Sequence, residues 1–317
     1  MILLGVILLI FLLCLGMGIC VFLIACSRQE LNLDDDDAVK RGRYGKYADE
    51  IISARHWIED HPHEELTMKS FDGLNLRAVW VPAEKAKGTV ILAHGYHTNF
   101  LVDFGPVLEV YHSRGFNLLL PYQRSHSKSE GRFITYGVKE SRDMRGWIDL
   151  HNERFGRVPI LCSGLSMGAS TMMYLAGMEL PENVKAFVVD CGFTSPKEII
   201  SYVFRRRIHL PAWPFLWAAD LCARIFAKFR LDECHSVNTL AKNKLPILMV
   251  HGLADTFVPA EMTRRGFAAC GGDKRLLLVE NAAHGLSFWV DEASYLKELD
   301  KIIEKVYSNE LRYNQKL

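Results

Sequence analysis

A serine lies between two glycines in residues 164–168, with the sequence GLSMG. Residues 159–163 before it have the composition of a short buried strand, and the residues after it begin a helical stretch. A serine at a sharp strand-to-helix turn is held in a strained backbone conformation that exposes its hydroxyl above the sheet. Glycines on both sides allow the chain to crowd at such a turn. The segment therefore predicts a nucleophile at Ser166.

A serine hydroxyl is a poor nucleophile unless a base removes its proton and a carboxylate holds that base in the right tautomer. Asp255 comes shortly after the apolar run 247–250, and His284 follows the next apolar run, 276–279. Both residues and Ser166 lie just past strand-like runs, so their loops should emerge at one edge of a parallel sheet. We expect Ser166, Asp255 and His284 to converge there as nucleophile, acid and base.

Other residues compete for the acid and base roles. Asp190 ends a further apolar run and is the alternative acid, with a structural role as its default. Among the twelve histidines, His126 lies beside the expected cleft and is a weaker rival to His284. His94 and His251 also precede glycine, but they end strands and are interpreted as structural imidazoles.

The reaction also needs donors for the oxygen that becomes negative when a carbonyl is attacked. The strand-like run 90–93 leads into His94 and Gly95, after which the chain must turn over the sheet. We expect the backbone N–H groups of Tyr96 and Met167 to point at that oxygen, and the helix after Ser166 to favour its negative charge.

Strand-like runs alternate with helical stretches through most of the chain. Residues 65–70 and 76–81 form a predicted hairpin across Asp72-Gly73, a dipeptide typical of tight turns. With six further runs this gives eight strands, mostly parallel and covered by helices on both faces. The six runs are 89–93, 116–120, 159–162, 186–189, 247–250 and 276–279.

The alternation breaks between about residues 195 and 244, which we interpret as a helical lid over the edge of the sheet. Helices are predicted over 197–206 and 217–229, with two prolines between them. The lid combines aromatic side chains with a run of three arginines, so it could present an apolar acyl site, contact an anionic membrane or simply pack onto the body. These residues are Trp213, Phe215, Trp217, Phe226, Phe229 and Arg205, Arg206 and Arg207.

Residues 1–26 contain no charged side chain. As a helix they would be about 39 Å long, more than the ~30 Å hydrocarbon core of a bilayer. We expect a single-pass transmembrane signal anchor, with residues 27–46 as a hydrated linker that includes the acidic run 34–37. Arg28, Lys40, Arg41 and Arg43 all follow the span, which favours a cytoplasmic position for the body. The alternative is a lipoprotein anchored through Cys26.

The composition excludes several other classes of protein. A formal net charge of +1 gives no basic excess for neutralising phosphates, so nucleic acid is not an expected partner. Five of the eight cysteines lie in the body, and the odd number and the absence of C-x-x-C spacing do not indicate a disulfide framework.

Taken together, these motifs resemble the α/β-hydrolase superfamily, and within it the lid-bearing group related to serine aminopeptidases, monoacylglycerol lipases and bacterial membrane-anchored hydrolases. The resemblance runs from the hairpin to the last predicted helix, within a hydrolase domain expected over residues 47–317. Residues 122–129 are similar to the family's Asp-x-Arg-Gly-His-Gly-x-Ser loop, with Gln123 in place of the acid and Ser125 and Ser127 in place of the two glycines.

The resemblance implies a Ser166-Asp255-His284 triad, an acyl-enzyme intermediate and no metal or organic cofactor. The expected substrate is a small-molecule or lipid-like carboxylic ester or thioester. An aminopeptidase or amidase that uses the same triad is the alternative, and a catalytically silent binding protein is a further hypothesis.

Overall fold

The computed structural model describes residues 2–30, 35–41 and 45–314, so Asp34 and Arg43 of the sequence predictions lie outside the described residues. Eight strands form one sheet in the order β1-β2-β4-β3-β5-β6-β7-β8. The strands are β1 (Glu64–Lys69), β2 (Asn75–Val81), β3 (Gly88–Ala93), β4 (Phe116–Pro121), β5 (Ile160–Leu165), β6 (Val184–Asp190), β7 (Ile247–Gly252) and β8 (Lys274–Val279).

The sheet is mostly parallel. Strand β1 pairs antiparallel with β2, and β2 pairs antiparallel with β4. All other neighbours are parallel. The prediction of an eight-stranded, mostly parallel sheet opened by a hairpin is therefore confirmed. Because β3, β5, β6 and β7 lie side by side and run the same way, their carboxyl ends share one edge of the sheet.

Helices cover both faces of this sheet. The helices of the described residues are α1 (Ile2–Cys26), α2 (Asp36–Arg41), α3 (Ala48–Asp60), α4 (Phe100–Ser113), α5 (Val138–Phe155), α6 (Met167–Leu175), α7 (Pro196–Ile208), α8 (Trp213–Cys222), α9 (Ser236–Leu240), α10 (Ala260–Ala269), α11 (Ser287–Val290) and α12 (Glu292–Asn314), of which α1, α7 and α8 lie outside the sheet layers. Alternate residues of a strand point to opposite faces. On β3, Val90 and Leu92 join one core layer, whereas Ile91 and Ala93 join the other.

The predicted lid region contains α7, α8, the π-helical turn Ala223–Ala227 and α9. The second lid helix begins at Trp213 rather than at Trp217, because Pro214 occupies its first turn, where a missing N–H costs nothing. Lys228 ends the π turn in a left-handed conformation with φ of 57°.

Helix α1 is long and apolar enough to cross a membrane. It packs against α8 at Gly18, where an added Cβ would overlap Ala218 and the carbonyl of Phe215. Near its carboxyl end, Phe22 and Cys26 are buried in the apolar cluster that α8 and the lid form over the body. The carboxyl-terminal part of the apolar helix therefore packs on the lid and the body, whereas residues 2–13 are exposed.

Candidate active site

Ser166 lies at the turn between β5 and α6. Its φ of 56° and ψ of −116° are neither helical nor extended, and this strained conformation turns the side chain away from the sheet. A Cβ on Gly168 would overlap the backbone of Ala93, and a Cβ on Gly164 would overlap the backbone of Gly168. The two glycines are therefore required by close contact between chain segments.

The structure brings Ser166, His284 and Asp255 together. His284 Nε2 lies 2.8 Å from Ser166 Oγ, and its Nδ1 lies 2.6 Å from Asp255 Oδ2. All three residues are buried. The carboxylate holds the Nδ1 proton, so Nε2 is left as the acceptor for the serine hydroxyl proton.

The other oxygen of Asp255 is fixed by its own loop. Its Oδ1 accepts the backbone N–H groups of Phe257 at 2.8 Å and of Val258 at 2.9 Å. Such contacts fix the carboxylate in one orientation. The loop after β7 thereby determines the position of the acid.

His251 also faces Asp255, a contact that the sequence did not predict. Its Nε2 lies 3.3 Å from Asp255 Oδ2 and 2.9 Å from the carbonyl of Val258, and its Nδ1 lies 2.7 Å from Thr263 Oγ1. Burial alone would raise the pKa of Asp255, but hydrogen bonds from His251 and His284 outweigh burial and lower that pKa below its ordinary value. His251 therefore helps keep the acid ionised.

Asp190, the rival acid, has a different partner. Its Oδ1 accepts a hydrogen bond from Ser287 Oγ at 3.0 Å, and its backbone carbonyl accepts the N–H of Ser166 at 2.8 Å. Burial raises the pKa of Asp190 to about 6. Asp190 therefore contacts the backbone of Ser166, whereas Asp255 contacts the imidazole of His284.

The turn after β3 lies over the nucleophile. A Cβ on Gly95 would lie 3.4 Å from that of Ser166. Asp103 of α4 holds the turn, because its buried carboxylate accepts the Gly95 N–H at 2.5 Å and the Thr98 hydroxyl at 3.1 Å. Tyr96 follows Gly95 directly, and Met167 begins α6, where helix N–H groups have no acceptor in the preceding turn. No motif in the sequence singles out Asp103.

His94 and His126 stabilise the same turn instead of contacting Ser166. His94 Nε2 accepts the backbone N–H of Gln123 at 3.0 Å, and His126 Nε2 accepts that of His97 at 3.1 Å. Both rings must be neutral to accept these bonds. Burial lowers the pKa of His94 to about 4 and lowers that of His126 well below its ordinary value. The prediction that His94 is a structural imidazole agrees with these contacts.

Gln123 occupies the position of the family's acid. Its amide Nε2 donates to the carbonyl of His94, and its Oε1 accepts the hydroxyl of Thr171 at 3.3 Å. One uncharged side chain thus ties the turn after β3 to helix α6.

The two serines that replace family glycines both adopt left-handed backbone conformations. The φ angles are 63° for Ser125 and 44° for Ser127. Ser125 gains a hydrogen bond from its hydroxyl to the carbonyl of Phe133, at 2.8 Å. At both positions a residue with a side chain adopts a conformation that glycine adopts at lower cost.

We predict that Ser127→Gly stabilises the protein. Glycine adopts positive φ without the Cβ penalty, so the free energy of unfolding should rise by up to about 1 kcal/mol. The matched control is Ser53→Gly in α3, where glycine should cost about 0.5 kcal/mol. Urea denaturation of both variants and the parent in the same detergent measures the difference, and equal shifts for the two variants would contradict the prediction.

A third polar group lies near the acid and base. Cys191 offers a sulfur that lies with a carboxylate oxygen of Asp255 and a ring nitrogen of His284 within 4.8 Å of one another. Three such atoms could hold a metal ion, but both ring nitrogens of His284 already face Asp255 and Ser166. The contacts favour proton transfer between Ser166 Oγ and His284 Nε2, with Asp255 orienting the imidazole.

The carboxyl end of α1 forms part of the rim of the site. The hydroxyls of Tyr96 and Tyr136 both donate to the carbonyl of Ala25 at 2.9 Å, and their rings stack at 5.4 Å. Burial raises the pKa of Tyr96 to about 12, so its hydroxyl remains a donor. Tyr96, the residue predicted to offer a backbone donor, is thereby bonded to the apolar helix.

Residues 27–28, which the sequence assigns to the linker, continue along the same rim. Ser27 forms an isolated antiparallel bridge with Phe133. The guanidinium of Arg28 donates to the carbonyls of Ser127 and Ser129, each at 2.6 Å. The segment after α1 therefore packs against the loop that carries His126.

No family model matches the chain. The chain is 27% identical to the YqkD protein of Bacillus subtilis over 276 residues, which cover 86% of this chain and 88% of that one. Among solved structures, the esterase Pf2001 of Pyrococcus furiosus matches with a TM-score of 0.62 at 19% identity, over 77% of this chain and 93% of the esterase. A bacterial membrane phospholipase A matches with a TM-score of 0.57 at 14% identity, over 83% and 93%. Together with the sheet order and the turn at Ser166, these likenesses identify the fold as that of the α/β hydrolases.

Proposed function

We propose that the chain is a membrane-anchored serine hydrolase that cleaves carboxylic esters or thioesters. The observation that carries the proposal is the continuous hydrogen-bonded chain from Ser166 Oγ through His284 to Asp255, which begins at a strained turn on a helix N-terminus. This arrangement supplies a nucleophile, a base and an orienting acid in contact with one another.

The proposed reaction has two halves. Ser166 Oγ attacks the acyl carbon while His284 takes the hydroxyl proton, and the N–H groups of Tyr96 and Met167 stabilise the oxyanion. His284 then gives the proton to the leaving alcohol or thiol as the bond to the acyl carbon breaks. Water, deprotonated by His284, attacks the acyl-enzyme and restores Ser166 as the acid product leaves. No metal or organic cofactor takes part.

The membrane setting favours a lipophilic acyl group. The site lies under a lid with apolar side chains and next to the end of an apolar helix, so an acyl chain would meet apolar surface near Ser166. The esterase and phospholipase names of the structural neighbours are in line with this substrate class. Several finer points stay predictions. They are the narrower lid-bearing group named from the sequence, the lid boundaries at about 195–244, and the division into anchor (1–26), linker (27–46) and body (47–317).

The anchor itself is proposed to be uncleaved, with the body on the cytoplasmic side. Cys26 is buried, and its carbonyl accepts the N–H of Ile134 at 2.7 Å, whereas lipidation would require an accessible thiol. Intact-mass spectrometry of the protein purified from membranes should find residues 1–26 present. A lipid-modified Cys26 as the first residue would contradict this part of the proposal.

Labelling with a fluorophosphonate probe tests the serine chemistry directly. The full chain in detergent should be labelled, with the adduct mapped by mass spectrometry to Ser166. Ser166→Ala should abolish labelling, whereas the control Ser201→Ala on α7 should keep it. Equal labelling of Ser166→Ala and parent would defeat the proposal.

Substrate class is tested separately with p-nitrophenyl esters of graded chain length and with aminoacyl anilides. We expect turnover of the esters, with kcat/KM rising with acyl length. Faster turnover of the anilides would instead assign the same triad to peptide or amide bonds.

A further inference from the structure

The lid carries aromatic side chains that the described part of the chain leaves uncovered. The exposed fractions are 78% for Trp213, 57% for Trp217 and 61% for Phe226. Further exposed apolar side chains surround them, namely Ile208, Leu210, Leu221 and Ile225. Single exposed apolar residues are ordinary, but a contiguous group of this size marks a surface that another apolar body covers.

This group continues directly onto helix α1. The rings of Phe11 and Trp217 lie 6.4 Å apart, and those of Phe22 and Phe226 lie 6.2 Å apart. Gly18 lets α8 approach closely between these two contacts. The exposed face of the lid and the lipid-facing surface of α1 are therefore one apolar surface.

The lid packs along α1 from the rim of the site towards the amino terminus of the helix. Phe11 precedes Cys26 by fifteen residues, which is about 22 Å along a helix. Cys26 lies at the rim, where its carbonyl bonds Ile134, and Trp217 reaches the level of Phe11. When the amino-terminal part of α1 is in a bilayer, the tip of the lid must meet the same lipids.

The charges at this tip fit an anionic membrane surface. Residues 199–219 contain three arginines and no acidic residue, and Arg205, Arg206 and Arg207 are all exposed at the end of α7. Basic side chains are attracted to anionic headgroups, and tryptophan favours the interface between headgroups and acyl chains. Both kinds of side chain lie together at the tip.

A groove of 960 Å³ runs between α7 and α8 at this tip. Arg205, His209, Trp213 and Trp217 line it together with Lys197. Two acids also line it, but Asp220 accepts from Arg224 and Asp232 accepts from Arg230. Cationic and aromatic walls of this kind suit a phospholipid headgroup and the upper part of its chains.

We propose that the tip of the lid, formed by residues 205–217, inserts into one leaflet of an anionic bilayer beside α1, with its arginines at the headgroups and Trp217 among the acyl chains. The protein then has two contacts with the membrane, the apolar helix and the lid. Because α1 is bonded to the body, the second contact restricts the tilt of the whole protein relative to the bilayer. This inference does not depend on the reaction that Ser166 performs.

The experiment uses the full chain in vesicles of phosphatidylcholine and phosphatidylglycerol in which the phosphatidylcholine carries bromine on its acyl chains. Bromine quenches tryptophan only at close range. We expect bromine on the acyl chains to quench the parent. The variant Trp213→Phe/Trp217→Phe should lose the quenched component, whereas the control Trp57→Phe/Trp289→Phe, altered in the body, should keep it.

Charge is tested with Arg205→Gln/Arg206→Gln/Arg207→Gln. Quenching of the parent should increase when phosphatidylglycerol is added, and that of the triple variant should not. Equal quenching of parent and lid-tryptophan variant would overturn the proposal. So would blue-shifted lid emission without bromine quenching, since that result would place protein, such as a second copy of the chain, over this face. Far-ultraviolet circular dichroism of every variant verifies the fold.

Discussion

His284→Ala should lower kcat for ester hydrolysis by about 10⁶-fold, because removing the base of a Ser-His-Asp triad costs nearly as much in kcat as removing all three residues. His284 Nε2 is the nitrogen placed 2.8 Å from Ser166 Oγ, and the hydroxyl is otherwise protonated at neutral pH. The loss should appear in kcat rather than in KM, since the imidazole acts as the proton moves. Steady-state turnover of a p-nitrophenyl ester measures it.

The matched control is His56→Ala, an exposed histidine of α3, which should leave kcat within a factor of about two, as surface substitutions do. His126→Ala should instead weaken the turn at His97 and lower the stability of the protein. If His126→Ala abolished turnover while His284→Ala spared it, the assignment of the base would be wrong.

Asp255→Asn should lower kcat by about 10⁴-fold, because an amide in place of the carboxylate favours the wrong tautomer of the base. In the parent, the Nδ1 proton of His284 points to Asp255 Oδ2 at 2.6 Å. Asparagine can present its amide N–H to Nδ1, so the imidazole proton would shift to Nε2. A protonated Nε2 could no longer accept the hydroxyl proton of Ser166. A pH–rate profile should show the loss across the neutral range.

The matched control is Asp190→Asn, which makes the same chemical change at the rival acid. Asp190 bonds the hydroxyl of Ser287, and asparagine can keep that bond, so kcat should remain close to that of the parent. If Asp190→Asn lowered kcat by about 10⁴-fold and Asp255→Asn left kcat unchanged, Asp190 rather than Asp255 would be the acid that orients His284.

Much of the fold could be predicted from the sequence, because each buried strand is a short apolar run bounded by polar residues. The strand predicted at residues 89–93 and the hairpin across Asp72-Gly73 follow from such local patterns. The start of the second lid helix could not be placed, since Pro214 both breaks a helix and suits its first turn.

Some of the site residues could also be predicted from the sequence, and others could not. Ser166, Asp255 and His284 lie at strand ends, where topology brings them to one edge of the sheet. The contact between His251 and Asp255 depends on a tight turn after β7, and that of Asp103 with Gly95 depends on how α4 meets the sheet. Such contacts arise from tertiary packing, which single-residue patterns do not encode.

The hydrogen bonds from Tyr96 and Tyr136 to Ala25 have a practical consequence for protein production. A shortened chain that starts after residue 30, made to avoid detergent, would lose this acceptor, the Ser27–Phe133 bridge and the cover over α8. It would expose two hydroxyls and an apolar helix face to water, although Ser166, Asp255 and His284 would all still be present. Activity measured on such a fragment would describe an altered rim, so assays of this protein belong with the full chain in detergent or lipid.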